Sequence, residues 1–260
     1  MVLRRLAASA RRQDWFAVTV ELVVVVLGIF IGMQVTNWSE DRKLARQAHE
    51  YRESLATDLA TDEDTMRAHA VYYRVIEQYG KVALAFLERP APVADTQTAA
   101  ELVTALMIAS SLWEYRQARP TYEDLKSTGN LPLLGSTALR VRLANYYIAV
   151  DSAAVQWDVV TGYRAHVRSI IPAEAQRRVM DTCEHVAPGE RIDLAMDPDC
   201  RPDLAPWNPV AVLKDIVQSP GIRGDLTLGM SQLRLKIQLF TLQADAAAKM
   251  REQVLAQPAR

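Results

Sequence analysis

The residues best suited to hold a small molecule lie in one segment, SSLWEYRQARPTYEDLKSTGN, at 110–130. Its aromatic rings would supply rigid apolar walls, and its guanidinium groups could bind a carboxylate or phosphate in a bidentate manner. The alternative is a helix corner with packed aromatic rings and an exposed charged rim. The candidate ligand pocket consists of three aromatic and two basic residues: Trp113, Tyr115, Tyr122, Arg116 and Arg119.

The sequence lacks the motifs that carry catalysis or bind metals. It has no H-E-x-x-H, no phosphate-binding glycine loop and no G-x-S-x-G, and no histidine follows a glutamate by three residues as a di-iron bundle requires. His49 lies one helical turn from Glu53, and the acidic run DLATDEDT (58–65) lacks the ligand order of an EF-hand. We interpret both as solvated helix faces. The sequence therefore predicts no enzyme, no metal site and no cofactor.

The two cysteines, Cys183 and Cys200, flank the segment EHVAPGERIDLAMDPD, which is rich in loop-forming residues. In an oxidising compartment they would form a disulfide that closes the predicted loop at 183–209. The alternative is a metal site that adds His185, although this spacing matches no standard zinc pattern. We predict the disulfide.

The apolar segment WFAVTVELVVVVLGIFIGMQVTNW, residues 15–38, predicts a transmembrane helix. Its 24 residues would form a helix about 36 Å long, enough to cross a hydrocarbon core of about 30 Å. Trp15 and Trp38 lie at its ends, where tryptophan favours the headgroup layer. The alternatives are a cleaved signal peptide, for which no small-residue cleavage site follows, and a soluble core helix.

The charges beside this segment predict its orientation. Four arginines and one acid, Asp14, precede the helix, so the positive-inside rule places 1–14 in the cytoplasm and 39–260 outside it. The expected location is the inner membrane of a bacterium, with a periplasmic C-terminal domain. The four arginines are Arg4, Arg5, Arg11 and Arg12.

Three residues within the apolar segment predict contact with another membrane helix. Gly28 and Gly32 form a G-x-x-x-G motif, which lets two helix backbones approach closely. Glu21 would lie inside the hydrocarbon, where a carboxylate pairs with a cation, is protonated, or extends toward the interface. The predicted partner is another membrane protein or a second copy of the chain.

Most of residues 39–260 shows helical spacing of apolar residues. From Leu44 to Leu59 the steps are three or four, so the membrane helix is expected to continue as a stalk, and TDEDT (61–65) is compatible with a kink or short break. Further helices are predicted at about 98–118, from 136 to 171, up to Cys183, and after Asn208. Residues 226–242 alternate as a strand would, but we favour a helix with a second apolar stripe. The predicted fold is all-α, a multi-helix bundle on one transmembrane helix.

Two segments resemble a family of uncharacterised bacterial membrane-anchored helical proteins. VELVVVVLGIFIGMQVTNWSEDRK (20–43) is similar to the opening signature of that family, in which a Glu precedes the apolar run and Asn-Trp-Ser/Asn-Glu ends it. TYEDLKSTGNLPLLGSTALRVRLANYY (121–147) resembles a later part. Together the two segments cover about a fifth of the chain. The resemblance implies topology and a helical fold, and it implies no activity.

Charge and composition narrow the function. Residues 39–260 hold 26 basic and 29 acidic residues, so no basic excess predicts nucleic-acid binding. We expect a membrane-anchored periplasmic scaffold or interaction module without catalytic activity. The alternative is a ligand-sensing subunit that uses the 113–126 region and signals through a partner in the membrane, because only about 14 residues precede the apolar segment.

Overall fold

The computed structural model describes residues 15–117, 119–157, 162–187 and 193–257, with side chains described from residue 19 onward and not for 155–157. The predicted residues Trp15, Trp157 and Val160 therefore lie, in whole or in their side chains, outside the described part, as do 1–14. The described chain is mostly helical, with one two-stranded sheet, consistent with the predicted all-α fold.

Helix α1, Trp15–Glu88, contains the apolar segment and continues without a break into the domain. Its 74 residues make a helix about 110 Å long at 1.5 Å per residue. The acidic run 61–65 does not interrupt it, so no break occurs there. Buried residues recur every three or four positions along its distal half: Leu55, Leu59, Met66, Tyr73, Ile76, Ala83 and Leu87.

Helix α8, Ile222–Leu255, packs along α1 in the antiparallel direction. Arg251 pairs with Glu63 at 3.2 Å, and Asp245 pairs with Arg67 at 3.1 Å, so position numbers fall along α8 as they rise along α1. The prediction of helix for 226–242 is confirmed. The strand-like alternation arises because α8 carries apolar side chains on two faces.

Shorter elements complete the bundle around this helix pair. Helix α2 ends at Ile108 rather than near 118, and the predicted helix at 136–171 is described as two helices on either side of 158–161. These elements are α2 Thr96–Ile108, α3 Pro120–Ser127, a 3₁₀ turn Leu131–Leu134, α4 Thr137–Trp157, α5 Gly162–Ile170, α6 Ala173–Cys183, a second 3₁₀ turn Ala205–Trp207 and α7 Pro209–Gln218.

Helix α7 begins as its sequence predicts. Asn208 accepts a hydrogen bond from the backbone N–H of Ala211 at 3.3 Å, and Pro209 occupies the first helical position. Asn208 supplies an acceptor for a backbone N–H that has no carbonyl partner within the helix. Proline at the first helical position costs no hydrogen bond, because an N–H at that position would have no helical partner.

The loop between the cysteines contains a hairpin that the sequence reading missed. Strand β1, Glu184–Ala187, pairs antiparallel with β2, Asp193–Met196. Cys183 is disulfide-bonded to Cys200 with Cα atoms 5.3 Å apart, so neither sulfur is free to bind a metal. The Tyr79 hydroxyl of α1 donates to the carbonyl of Asp197 at 2.9 Å and accepts from the Cys200 N–H at 3.0 Å.

Removal of the disulfide should destabilise the domain. For Cys183→Ala/Cys200→Ala we expect a loss of about 3 kcal/mol in the free energy of unfolding, because the unfolded chain regains the entropy of an open loop. Thermal unfolding in detergent, followed by circular dichroism, measures the fall in Tm. A reducing agent should lower the Tm of the wild type and leave that of the double variant unchanged. An unchanged wild-type Tm, with both thiols shown to be free, would contradict the prediction.

Candidate functional site

Residues 111–117 run as an extended segment along α1, and this segment holds part of the predicted pocket. Alternate side chains point in opposite directions, as in any extended chain. Trp113, Tyr115 and Gln117 face the interior, whereas Glu114 and Arg116 are exposed. The aromatic spacing of two, rather than three or four, is the signal that could have predicted an extended segment here.

Trp113 and Tyr115 belong to an aromatic cluster in the core rather than to the walls of an open pocket. The Trp113 ring stacks on His69 with centroids 3.6 Å apart, and its backbone N–H and carbonyl both bond the Tyr73 hydroxyl. The Tyr115 ring lies edge-on to the rings of His69 and Phe240, with ring centroids 5.4 and 5.6 Å apart, respectively. Burial lowers the pKa of His69, so the buried ring favours its neutral form.

The two arginines lie beside a shallow cleft of about 350 Å³. Arg119 forms ion pairs with Asp151 at 2.9 Å and with Glu123 at 3.1 Å, and its guanidinium carbon lies 5.6 Å from the centre of the Tyr147 ring. Arg116 lies 3.5 Å from the carboxylate of Glu114. An incoming anion would therefore compete with carboxylates that already occupy both cations.

The structure brings three of the five predicted pocket residues to one cleft, namely Tyr115, Arg116 and Arg119. Trp113 lies in the core cluster. Tyr122 packs against Tyr147 with ring centroids 4.4 Å apart. The segment therefore forms a packed corner with a charged rim and a cleft on one side.

The polar centre beneath this cleft is Asp62, a residue that the sequence reading placed on a solvated face. Its side chain is buried, at 4% exposure. Its carboxylate accepts hydrogen bonds from Gln117 Nε2 at 2.6 Å and from the Tyr146 hydroxyl at 3.1 Å. One turn earlier, Asp58 accepts from the backbone N–H of Thr121 at 3.0 Å. Two acids of the run 58–65 thus hold Gln117 and Thr121 against α1.

Burial raises the pKa of Asp62 to about 6, because the charged form loses hydration. The hydrogen bonds from Gln117 and Tyr146 oppose this shift, and the nearby charge of Asp58 adds to it. Strongly shifted acids cluster at functional sites, although structural networks also produce them. Asp62 follows Leu59 by three and precedes Met66 by four, so its place in the buried stripe could have been read from the sequence.

Of the rest of the acidic run, Asp64 is exposed, as predicted. Glu63 is not solvated: its side chain is 13% exposed and pairs with Arg67 at 3.1 Å and with Arg251. His49 and Glu53 form an exposed pair at 3.2 Å, which agrees with the predicted solvated face.

A second polar cluster joins α5, the end of α7 and the start of α8. His166 Nδ1 lies 2.7 Å from Asp225 Oδ2, and His166 Nε2 lies 2.7 Å from Ser219 Oγ. This order matches the connectivity of serine hydrolases. However, Pro220 follows the serine and has no N–H to stabilise an oxyanion. We interpret the cluster as a link between helices.

Arg164 and Arg168 lie on α5, close to the end of α2. Arg164 donates to the carbonyl of Ser110 at 2.6 Å, and Arg168 donates to the Ser110 hydroxyl at 2.9 Å. Burial lowers the pKa of Arg168 to about 10. These bonds hold α5 against the point where α2 ends.

The three residues predicted for membrane association share one face of α1. At 100° per residue, Glu21, Gly28 and Gly32 fall within an arc of about 40°. A Cβ atom added at Gly28 or Gly32 would meet no atom within 4 Å. Among the described residues, one helix is long and apolar enough to cross a bilayer, and its apolar stretch is not buried within the chain.

Comparison with known proteins does not assign the chain to a class. No family model matches the sequence, and neither a curated protein nor a solved structure shows significant similarity to it. The fold and the geometry of its sites therefore carry the functional argument.

The raised pKa of Asp62 predicts a specific pH dependence. Between about pH 4 and 6 the folded state holds a proton that the unfolded state has released, so the contribution of Asp62 to stability is fully present below pH 4 and is lost as the pH rises through 6. A shift of this size is worth up to about 3 kcal/mol. Asp62→Asn should remove this part of the dependence.

Thermal unfolding from pH 4.5 to 7.5 measures the effect as the difference in Tm between wild type and variant. Asp64→Asn, an exposed position on the same helix, is the matched control and should follow the wild type. Parallel curves for wild type and Asp62→Asn would show that Asp62 is not the responsible group.

Proposed function

We propose that the protein is a membrane-anchored interaction module whose helical domain, residues 39–260, lies in the periplasm. Residues 15–38 cross the inner membrane, with 1–14 in the cytoplasm. The observation that carries this proposal is the unbroken α1, in which an exposed apolar half continues into a buried, domain-forming half. A long apolar surface exposed to water would be costly, and lipid removes that cost.

Two further observations support the placement. The Cys183–Cys200 disulfide fits an oxidising compartment. Arg42 lies 4.1 Å above the Trp38 ring, at the point where the apolar segment gives way to charged residues. Tryptophan and arginine are both favoured at the boundary between lipid and water.

The face with Glu21, Gly28 and Gly32 is the proposed contact with another helix in the membrane. The two glycines leave a shallow groove in which a second backbone can lie close. Glu21, two turns before Gly28, can form a hydrogen bond or ion pair with the partner helix, which avoids the cost of an unpaired carboxylate in lipid.

The association test is affinity purification of the full chain from detergent-solubilised membranes. We expect one stoichiometric partner, or a second copy of the chain, to be recovered with the wild type and largely lost with Gly28→Leu/Gly32→Leu and with Glu21→Ala. The glycine variants should fold normally, because a Cβ atom at either position would meet no other atom of the chain within 4 Å.

The matched control is Val23→Leu/Phe30→Leu, which changes the opposite face of the same helix and should leave recovery unchanged. Equal recovery with the glycine variants would contradict this contact. Recovery of the chain in the soluble fraction after cell disruption would contradict the anchor itself.

Ligand sensing is a second candidate, favoured by the position of Asp62 beneath the Tyr115–Arg119 cleft. Gln117 lines that cleft and also bonds the Asp62 carboxylate, so a ligand that moves Gln117 would change the environment of a titratable group. A thermal-shift screen of small carboxylates and phosphates tests this. A rise in Tm that is lost in Arg119→Ala would favour sensing, and no rise with any compound would count against it.

A further inference from the structure

Helix α8 carries two rows of apolar side chains, and only one of them is covered. The covered row faces the core and repeats every seven residues, at Leu226, Leu233, Phe240, Ala247 and Val254. The uncovered row also repeats every seven residues, at Leu228, Leu235 and Leu242. These three side chains are 57%, 45% and 63% exposed.

The uncovered row has the spacing of a coiled coil. Half-buried residues lie between the leucines, so that the steps along the row alternate between four and three. We call this row the α8 seam: Leu228, Gln232, Leu235, Leu239, Leu242 and Ala246. In heptad terms Leu228, Leu235 and Leu242 occupy d positions, and Gln232, Leu239 and Ala246 occupy a positions.

The geometry of α8 keeps this seam in line. A straight helix would rotate by about 20° per heptad away from a seven-residue repeat. The covered row of α8 already follows the seven-residue repeat in its packing against the rest of the bundle. The seam therefore presents one continuous strip to a partner helix instead of spiralling away from it.

We propose that a second copy of this chain occupies the α8 seam, forming a parallel two-helix contact about a two-fold axis normal to the membrane. This proposal rests on the membrane anchor of the proposed function. Two copies anchored in one bilayer have the same orientation, and α8 runs antiparallel to α1 in each. Their α8 helices are therefore parallel, and each leucine can meet its own counterpart.

The residues beside the seam suit pairing between identical surfaces. In a pair of identical helices, each flanking residue lies near the same residue, or one close to it in sequence, of the second copy. Exposed flanking charges of one sign would therefore repel each other. The flanking positions include Ser231, Gln238 and Gln243, which are neutral. Lys236 is buried with its ammonium 5.0 Å from the centre of the Tyr73 ring, and Asp245 pairs with Arg67 of its own chain.

The seam is short, and the anchor compensates for this. A contact of fewer than three heptads is marginal between freely diffusing helices. Confinement to one bilayer raises the effective concentration of the second copy, as a tether does. The pairing is therefore expected in membranes rather than in dilute solution.

Cysteine cross-linking of the full chain in membrane vesicles tests the seam. Both native cysteines form the disulfide, so a single added cysteine is the one free thiol. Leu235→Cys should give a disulfide-linked dimer on mild oxidation, because facing d positions lie close enough to bridge. Arg234→Cys is the matched control on the adjacent, largely exposed position, and should give at least fivefold less dimer.

Leu235→Glu/Leu242→Glu supplies an independent variant. It should abolish the dimer that a chemical cross-linker traps in membrane vesicles, while the Tm stays within about 2 °C of wild type because both side chains are exposed. Equal cross-linking at 234 and 235, or a dimer that survives the glutamates, overturns the seam.

The two proposals fail in different ways. A dimer lost in Gly28→Leu/Gly32→Leu but retained in Leu235→Glu/Leu242→Glu overturns the seam and leaves the membrane contact intact. Cross-linking at 235 that persists in the glycine variants supports the seam, and the membrane contact is then decided by whether the partner recovered with the wild type is lost in those variants. Recovery of the chain in the soluble fraction contradicts the membrane anchor. If the soluble chain also fails to cross-link at position 235, the seam is overturned as well.

Discussion

The antiparallel packing of α1 against α8 is the interaction on which the rest of the structure depends. Neither helix can remain isolated in water, because each carries a long row of apolar side chains, such as Leu59 and Met66 on α1 and Phe240 and Ala247 on α8. Burial of these rows supplies the main driving force. The ion pairs along the α1–α8 interface, such as Arg67–Asp245, are exposed and contribute little energy, but they are compatible with the antiparallel alignment of the two helices.

The segment 111–117 shows how the bundle packs against α1 beside α8. A helix there would present one face, whereas an extended chain places every second residue inward and so brings Trp113, Tyr115 and Gln117 inward within seven positions. The cost is a set of backbone and amide groups that need partners. Tyr73 and Asp62 on α1 provide these partners. The aromatic stack and the buried acid therefore hold the same segment in place.

The disulfide and its hairpin lie at the far end of the molecule. Tyr79, which binds this region, is 41 residues beyond Trp38, or about 60 Å along the helix. In the proposed topology the hairpin lies in the distal part of the domain, although α1 continues past Tyr79 as far as Glu88. Helix α1 connects the two ends as one element, so a rotation of the membrane helix would turn the bundle with it.

The sequence by itself determined the apolar N-terminal segment, the helical class, the start of α7 at Asn208 and the cysteines near enough in sequence to close a loop. These depend on composition, on periodicity and on local capping, all of which are properties of neighbouring residues. The stripe through Leu59 and Met66 likewise followed from spacing, whereas the sequence left open whether α1 is interrupted at 61–65, and the structure shows that it is continuous.

Only the tertiary structure decided which polar residues are buried and which aromatic residues share a cleft. Asp62 looked like a solvated acid until Gln117 and Tyr146, 55 and 84 residues away, were brought to it. The residues of the predicted pocket lie in different places for the same reason, because Trp113 stacks on His69 and Tyr122 packs against Tyr147. Long-range pairing depends on how whole helices pack, and no local pattern specifies that arrangement.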